Sequence, residues 1–244
     1  MSPALVAACA FSVVACGVAS AQFTQLGQGT IARAISADGT AVVGQTSNEK
    51  AFRWTAAGGQ YDFGLDGDMP AFSNALAVSA DGTWVVGTSP AGAFRWHGTG
   101  TFQSIVNLPP PFTGGTATGV SADGNAVSGY SGGGSGFNPV GPWYWSESGG
   151  FQAIPVDNAY GVGISRNGAV VLGTTRDAFR GFTWTPSGGV RLLQAPAGSP
   201  FPTTSASAIN FDGTIVIGRS GGGGAHGVAE RGAQYFARAP GIRI

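Results

Sequence analysis

The 244-residue sequence predicts an all-β fold, a five-bladed β-propeller of four-stranded repeats in which an N-terminal strand completes the last blade. Three observations predict it. One motif recurs five times, at 32–39, 75–82, 117–124, 161–168 and 206–213. It reads small, any, small, Ile or Val, Ser or Asn, any, Asp or Asn, Gly. Its turn residues Asp38, Asp81, Asp123, Asn167 and Asp212 lie 43, 42, 44 and 45 residues apart, a period typical of propeller or solenoid units. Each period also divides into four short β-rich runs, as a propeller blade requires.

The first unit shows the division. Residues 31–37 alternate and end at Asp38-Gly39, a tight-hairpin signal. Residues 40–44 form a short Val-rich run, and 45–49 a polar loop. Residues 51–55 hold Phe52-Arg53-Trp54, and a Gly58-Gly59 turn leads to a fourth run at 61–64. We call these strands a to d. Later b strands carry Val85-Val86-Gly87, Val127-Ser128-Gly129, Val171-Leu172-Gly173 and Val216-Ile217-Gly218. Later c strands carry Phe94-Arg95-Trp96, Trp143-Tyr144-Trp145 and Phe182-Thr183-Trp184; the fifth unit lacks a clean copy.

The small residues of strand a (Ala32 and Ala34, Ala75 and Ala77, and their counterparts) are two apart, which places both on one face near a crowded axis. The b-strand glycines are expected to admit a neighbouring blade. The aromatics of strand c fill the space between blades. Residues 23–27 match the pattern of strand d but precede the first strand a, so they are expected to complete the fifth blade and hide exposed edges. A linear solenoid is the rival; it needs caps, and none is visible.

The domain plan is a signal peptide at 1–21, then a single propeller domain at 22–244. Its units are approximately 30–66, 71–108, 115–156, 159–195 and 203–244 plus 22–27. The leader is an uncharged apolar run ending in Ala19-Ser20-Ala21, small residues that a signal peptidase reads. Cleavage after Ala21 predicts a secreted, periplasmic or extracellular protein; lipoprotein processing at Cys16 is the alternative. The run is shorter than the roughly 20 apolar residues of a membrane span. Cys9 and Cys16 are the only cysteines, so the mature chain has no disulfide and no thiolate chemistry.

Charged residues are 10% of the chain, against about 25% on average. With 43% hydrophobic residues the chain is not of the disordered class. The 43 glycines, set at a regular period, read as turns rather than linker. Twelve basic and twelve acidic residues cancel, and the pI is near 6.7, which argues against nucleic acid and anionic membrane surfaces as partners.

At this point the repeat resembles the HAF repeat of bacterial extracellular proteins. That pattern couples an Ala-Phe-x-Trp strand to an Ile-Ser-x-Asp-Gly turn and a Val-Val-Gly strand. The matching stretches are 51–54, 93–96, 35–39 and 42–44. The family's leading His is Lys50 and Gly92 here, and the fourth unit carries an apparent insertion between Ala178-Phe179 and Phe182. The resemblance implies a secreted location and no particular reaction.

Residues able to carry chemistry are few. His97 and His226 lie in different units without acidic partners at ligand spacing, unlike a zinc site. No Gly-x-Ser-x-Gly elbow or phosphate-binding glycine loop occurs in a strand-to-helix context. A glycosidase needs two carboxylates at set separation, and the predicted funnel-lining strands offer Ala, Gly and Ser. Asp66, Asp68, Asp157 and Asp177 are the remaining carboxylate candidates. Asp62, Asp66 and Asp68 cluster, but not at calcium-loop spacing. The turn aspartates are expected to serve hairpin geometry. No catalytic residue, cofactor or metal ligand is assigned.

The b-to-c loops are the better candidates, the longest being 130–142. Tyr130, Phe137 and Asn138 are its candidate ligand contacts, an aromatic and an amide suited to stacking on a sugar. Arg53 and Arg95, set between aromatics on strand c, are expected to stack on an adjacent strand rather than bind ligand. The leading function is a secreted noncatalytic scaffold binding an extracellular protein or glycan. The alternative is a lectin-like carbohydrate binder, which calls for similar loop residues in every unit; the loops differ. A carboxylate glycosidase is the third reading.

Overall fold

The computed structural model describes residues 26, 29–63, 72–98, 101–105, 113–132, 139–156, 158–176, 179–195, 204–220 and 234–238. All of the regular structure among them is β. Sheet one is β1 (Ile31–Ile35), β2 (Ala41–Gln45), β3 (Ala51–Thr55) and β4 (Gly59–Asp62). Sheet two is β5 (Asn74–Val78), β6 (Trp84–Ser89), β7 (Gly92–His97) and β8 (Thr101–Ser104). Sheet three is β9 (Thr113–Val120), β10 (Ala126–Gly132), β11 (Pro139–Ser146) and β12 (Gly150–Ala153). Sheet four is β13 (Ala159–Ile164), β14 (Val171–Thr175), β15 (Gly181–Thr185) and β16 (Gly189–Leu192). Sheet five is β17 (Thr204–Ile209), β18 (Ile215–Ser220) and β19 (Gln234–Arg238).

Each sheet is an antiparallel meander in sequence order, and the first strands of successive sheets touch one another. Those strands therefore gather at a common axis, as in a propeller. The four-strand reading holds for the first four units, while the fifth has three strands among the described residues; the Val-Val-Gly strand pairs between its neighbours as expected. The fifth unit's third strand, which sequence did not find, is β19; Tyr235 faces Gly218 there as Phe94 faces Gly87 in sheet two.

Two expectations are corrected. The paired small residues of the first strands do not share a face. A β-bulge falls between them in all five sheets: Ala32/Ala34, Ala75/Ala77, Ala117/Gly119, Gly161/Gly163 and Ala206/Ala208. The extra residue cancels the strand's two-residue alternation. Ala75 consequently packs toward sheet one and Ala77 toward sheet three. The second correction concerns the b-strand glycines. A Cβ on Gly87 would lie 1.9 Å from the Asn74 carbonyl oxygen and 2.9 Å from the Phe94 ring. Both belong to the same sheet, so glycine there accommodates the bulge and the aromatic of strand c, not a neighbouring blade.

The core lies between sheets. Val43, Ala51 and Phe63 of sheet one pack with Ala75, Val85, Phe94 and Trp96 of sheet two. Equivalent clusters join sheets two and three, three and four, and four and five. The two valines of strand b divide this work: Val85 faces back to sheet one and Val86 forward to sheet three. Fully burying such a side chain contributes about 1.5–3 kcal/mol. Among the described residues no cluster joins sheets five and one. The expected N-terminal strand, 23–27, lies outside the described residues except for Leu26.

Candidate functional site

The two ends of the sheets differ. At one end the a-to-b turns repeat one geometry. Ser36 Oγ donates to Asp38 Oδ1 at 2.6 Å and accepts the Ala41 N–H at 2.9 Å. Asp38 Oδ1 also accepts the Thr40 N–H at 3.0 Å. The same bonds recur at Ser79/Asp81/Thr83, Ser121/Asp123/Asn125 and Ser165/Asn167/Ala169. In sheet five Asn210 replaces the serine: its Oδ1 accepts the Ile215 N–H, and Asp212 caps Thr214. Glycine follows because this turn needs a positive φ, 73° at Gly39, Gly82, Gly124 and Gly168.

These bonds set the electrostatics of the turns. The Ser36 hydroxyl and both Thr40 donors hold the Asp38 carboxyl below the usual range. At Asp81 partial burial pushes upward most, but the bonds from Ser79 and Thr83 together outweigh it. Asp123 is lowered first by Ser121, and Asp212 first by Thr214. All four carboxylates thus serve the hairpin, as expected, with their lone pairs directed into the turn.

Strand c carries a second repeated device. Arg53 Nε donates to the Gly82 carbonyl oxygen at 2.7 Å, and an Arg95 NH group donates to the Gly124 carbonyl oxygen at 2.7 Å. Each arginine holds the turn glycine of the next sheet. Arg95 also lies between two rings, 4.5 Å from the Trp84 centroid and 4.7 Å from that of Trp145. It bonds Gln103 and pairs with Glu147. The stacking expected for Arg95 is present; the pairing to Glu147, 52 residues away in sequence, had no local signal. At Tyr144 and Thr183 the repeat abandons the arginine.

The opposite end is irregular. The b-to-c connections there span 46–50, 90–91, 133–138, 176–180 and 221–233; only the first and fourth share a length, and no sequence repeats. Tyr130 lies on β10 rather than in a loop, because β10 and β11 extend beyond the expected bounds. It is half-buried and stands opposite Thr116 and Pro142. Phe137 and Asn138 lie outside the described residues, as do Asp66, Asp68, Asp157, Asp177 and His226. His97 packs against Trp84 with ring centroids 4.3 Å apart, and Asp62 accepts a bond from Gln60 at 2.6 Å. Among the described residues no three His, Cys, Asp or Glu side chains cluster in a way that could hold a metal ion. No helix there is long and apolar enough to cross a membrane.

No family model matches the chain, and no curated protein does. Solved structures do. A protein assigned as TolB in Agrobacterium tumefaciens superposes with a TM-score of 0.53 at 14% identity, over 79% of this chain and 69% of its own. Virginiamycin B lyase from Staphylococcus aureus gives 0.50 at 13%, over 87% and 71%. The WD40 repeats of RRP9 give 0.50 at 11%, over 79% and 58%. At such identity the likeness speaks of architecture alone, and with the radial meanders described above it makes this chain a β-propeller scaffold.

Proposed function

We propose that this chain is a secreted, noncatalytic binding module that recognises an extracellular protein or glycan through the end of the propeller bearing its b-to-c loops. One observation carries the reading: the frame repeats while those loops do not. The turn end keeps its Ser-x-Asp-Gly hydrogen bonds sheet after sheet. The loop end varies from two residues, 90–91, to the long stretch 221–233. Loops held on a rigid scaffold are where binding residues concentrate. The repeated carboxylates, by contrast, are bound up in turn geometry. Secretion rests on the leader ending at Ala21. Repeat-equivalent sugar sites are not favoured, since the loops lack equivalent residues; a single site beside Tyr130 fits the unequal loops better.

The test is binding of purified 22–244 to a glycan and polysaccharide array. The parallel variants are Tyr130→Ala and a chain whose 133–138 loop is replaced by Gly-Ser of equal length. We expect competable binding by the parent and its loss in the variants without a change in melting temperature. Steady conversion of any arrayed glycan by the parent would overturn the noncatalytic reading. A blank array assigns the face to a protein partner.

A further inference from the structure

Between sheets two and three, at the end that bears the b-to-c loops, three polar atoms are buried without a hydrogen-bond partner among the described residues. They are Asn74 Oδ1, Ser131 Oγ and Trp143 Nε1. Ser131 and Trp143 are fully buried, and Asn74 is half-buried. A buried indole N–H normally finds a partner, and a buried donor or acceptor left unpaired loses its hydration for nothing in return.

The strand registers bring the three into one space. Trp143 points to sheet two, where it packs with Val86 and Ala93. It stands opposite Gly129 on β10 and its ring lies over that glycine, where a Cβ would be 2.4 Å from the indole. Ser131, two residues further along β10, points to the same side. Opposite Ser131 on β9 is Gly115, whose carbonyl oxygen accepts a bond at 3.3 Å from Thr88 Oγ1 of sheet two. Thr88 pairs with Asn74, so Asn74 faces sheet three from across the gap. Gly115 and Gly141, on either side of Ser131, carry no side chain to fill the space.

This interface departs from the repeat. The counterparts of Trp143 are Phe52, Phe94 and Phe182, which bring no polar atom. The counterparts of Ser131 close their own b-to-c loops. Thr46 Oγ1 accepts the Lys50 N–H at 3.2 Å, Ser89 Oγ donates to the Gly92 carbonyl at 3.2 Å, and Thr175 Oγ1 accepts the Arg180 N–H at 3.0 Å. In sheet three the paired strands run on past Ser131, so its hydroxyl stays within the sheet without that loop bond. The charged and titratable side chains of the facing surface, Arg95 and His97, lie at the turn end, against Gly124 and Trp84. The connections 106–112 and 133–138 contain no charged residue.

We propose that this space is a binding site for one neutral hydroxyl group. Trp143 offers only a donor, Asn74 Oδ1 only an acceptor, and Ser131 Oγ serves as either. An O–H oxygen matches that set: it accepts from the indole, donates to the amide oxygen and bonds the serine. An anion would meet the Asn74 oxygen and a cation the Trp143 N–H, so neither fits. Two sources supply such a group. Water occupies buried polar sites with about three hydrogen bonds. A saccharide hydroxyl is the other source, entering past the half-buried Asn74 at the rim, and this source alone rests on the binding reading above.

The test uses 22–244 and follows the indole N–H resonance of Trp143, assigned by its loss in Trp143→Phe. We expect a magnetisation-transfer cross-peak between this N–H and a bound water. The methyl glycosides of glucose, galactose and mannose are then titrated in. A glycoside that shifts the resonance and removes the water cross-peak identifies the saccharide as the source. A cross-peak that persists with all three identifies water, and leaves the binding reading to the array. Neither cross-peak nor shift overturns the proposal. Urea unfolding gives a second readout. Ser131→Ala should lower the folding equilibrium constant roughly fivefold, but about twofold or less when Trp143→Phe is already present, because the shared guest has lost a partner. A constant unchanged or raised by Ser131→Ala contradicts the site, as does an additive pair. Ser128→Ala is the control: that unpartnered hydroxyl points the other way, toward Gly119 and sheet four, and its removal should not lower the constant.

Discussion

Arg95 of sheet two donates to the main-chain carbonyl of Gly124 in sheet three, 2.7 Å away, while its guanidinium lies between Trp84 and Trp145. The residue is 2% exposed, and its partner Glu147 has a side chain 57% exposed. The planar cation thus fills an aromatic slot, satisfies a turn carbonyl and ties three elements together. Lysine cannot stack and fork in this way.

The first prediction compares the two clamps. Arg95→Ala removes a buried, stacked and hydrogen-bonded cation, and should cost about 3 kcal/mol. Arg53→Ala removes a half-buried side chain whose bond to Gly82 should contribute about 1 kcal/mol. Glu147→Ala, removing a mostly exposed carboxylate, should cost less than about 1 kcal/mol. Urea unfolding of the three variants measures this. Equal costs for Arg95→Ala and Arg53→Ala would show that the aromatic slot contributes nothing.

The second prediction separates backbone strain from inter-sheet crowding. Gly150 has φ 66° and open space where a Cβ would go. Gly124 has φ 73°, and a Cβ there would lie 2.3 Å from the Trp84 ring. Gly150→Ala should cost about 1 kcal/mol, the left-handed penalty alone. Gly124→Ala should cost at least about 2 kcal/mol more, because the indole must move from beneath Arg95. Thermal unfolding distinguishes them; similar melting temperatures would mean that the interface yields freely.

A third prediction uses two serines of sheet three. Ser121 Oγ bonds both Asp123 and the Ala126 N–H. Ser128 Oγ is buried without a hydrogen-bond partner. Ser121→Ala should destabilise by about 1–2 kcal/mol, while Ser128→Ala should be neutral or stabilise by up to about 1 kcal/mol. Chemical denaturation of both gives the sign directly, and a destabilising Ser128→Ala contradicts the assignment.

What the sequence revealed, and what it hid, follows from the range of the forces involved. The Asp-Gly turns were legible because the hairpin chemistry lies within six residues, from Ser36 to Ala41. The aromatic of strand c was legible as a period-two pattern. The bulges were not: a strand with Ala at 75 and 77 reads as one face until one extra residue is paired against β6. Glu147 was hidden because its partner lies in the neighbouring unit, 52 residues away, and β19 because residues 221–233 intervene before its Tyr-Phe pair. The candidate ligand residues fared least well in sequence, since loops that do not repeat offer no comparison within the chain. Tyr130 proved to be a strand residue whose loop begins only at 133.

The last prediction concerns acid. Asp38, Asp81, Asp123 and Asp212 all have carboxyls lowered in the folded protein from the ordinary value of 3.8 by turn hydrogen bonds. A depressed folded value means that the unfolded chain binds the proton more readily. Stability from these groups is therefore fully present above the unfolded value and is lost as pH falls through the folded one. Melting temperature should decline as pH drops below about 4, the ordinary carboxylate range. Sheet four supplies the control within the molecule: Asn167 makes the same acceptor bonds to Ser165 and Ala169 with no charge to titrate. Replacing the four aspartates by asparagine should keep the turns formed and flatten the acid limb of the stability profile. Melting curves from pH 6 to pH 2.5 test this, and an unchanged acid limb in the fourfold variant would place the acid sensitivity elsewhere in the chain.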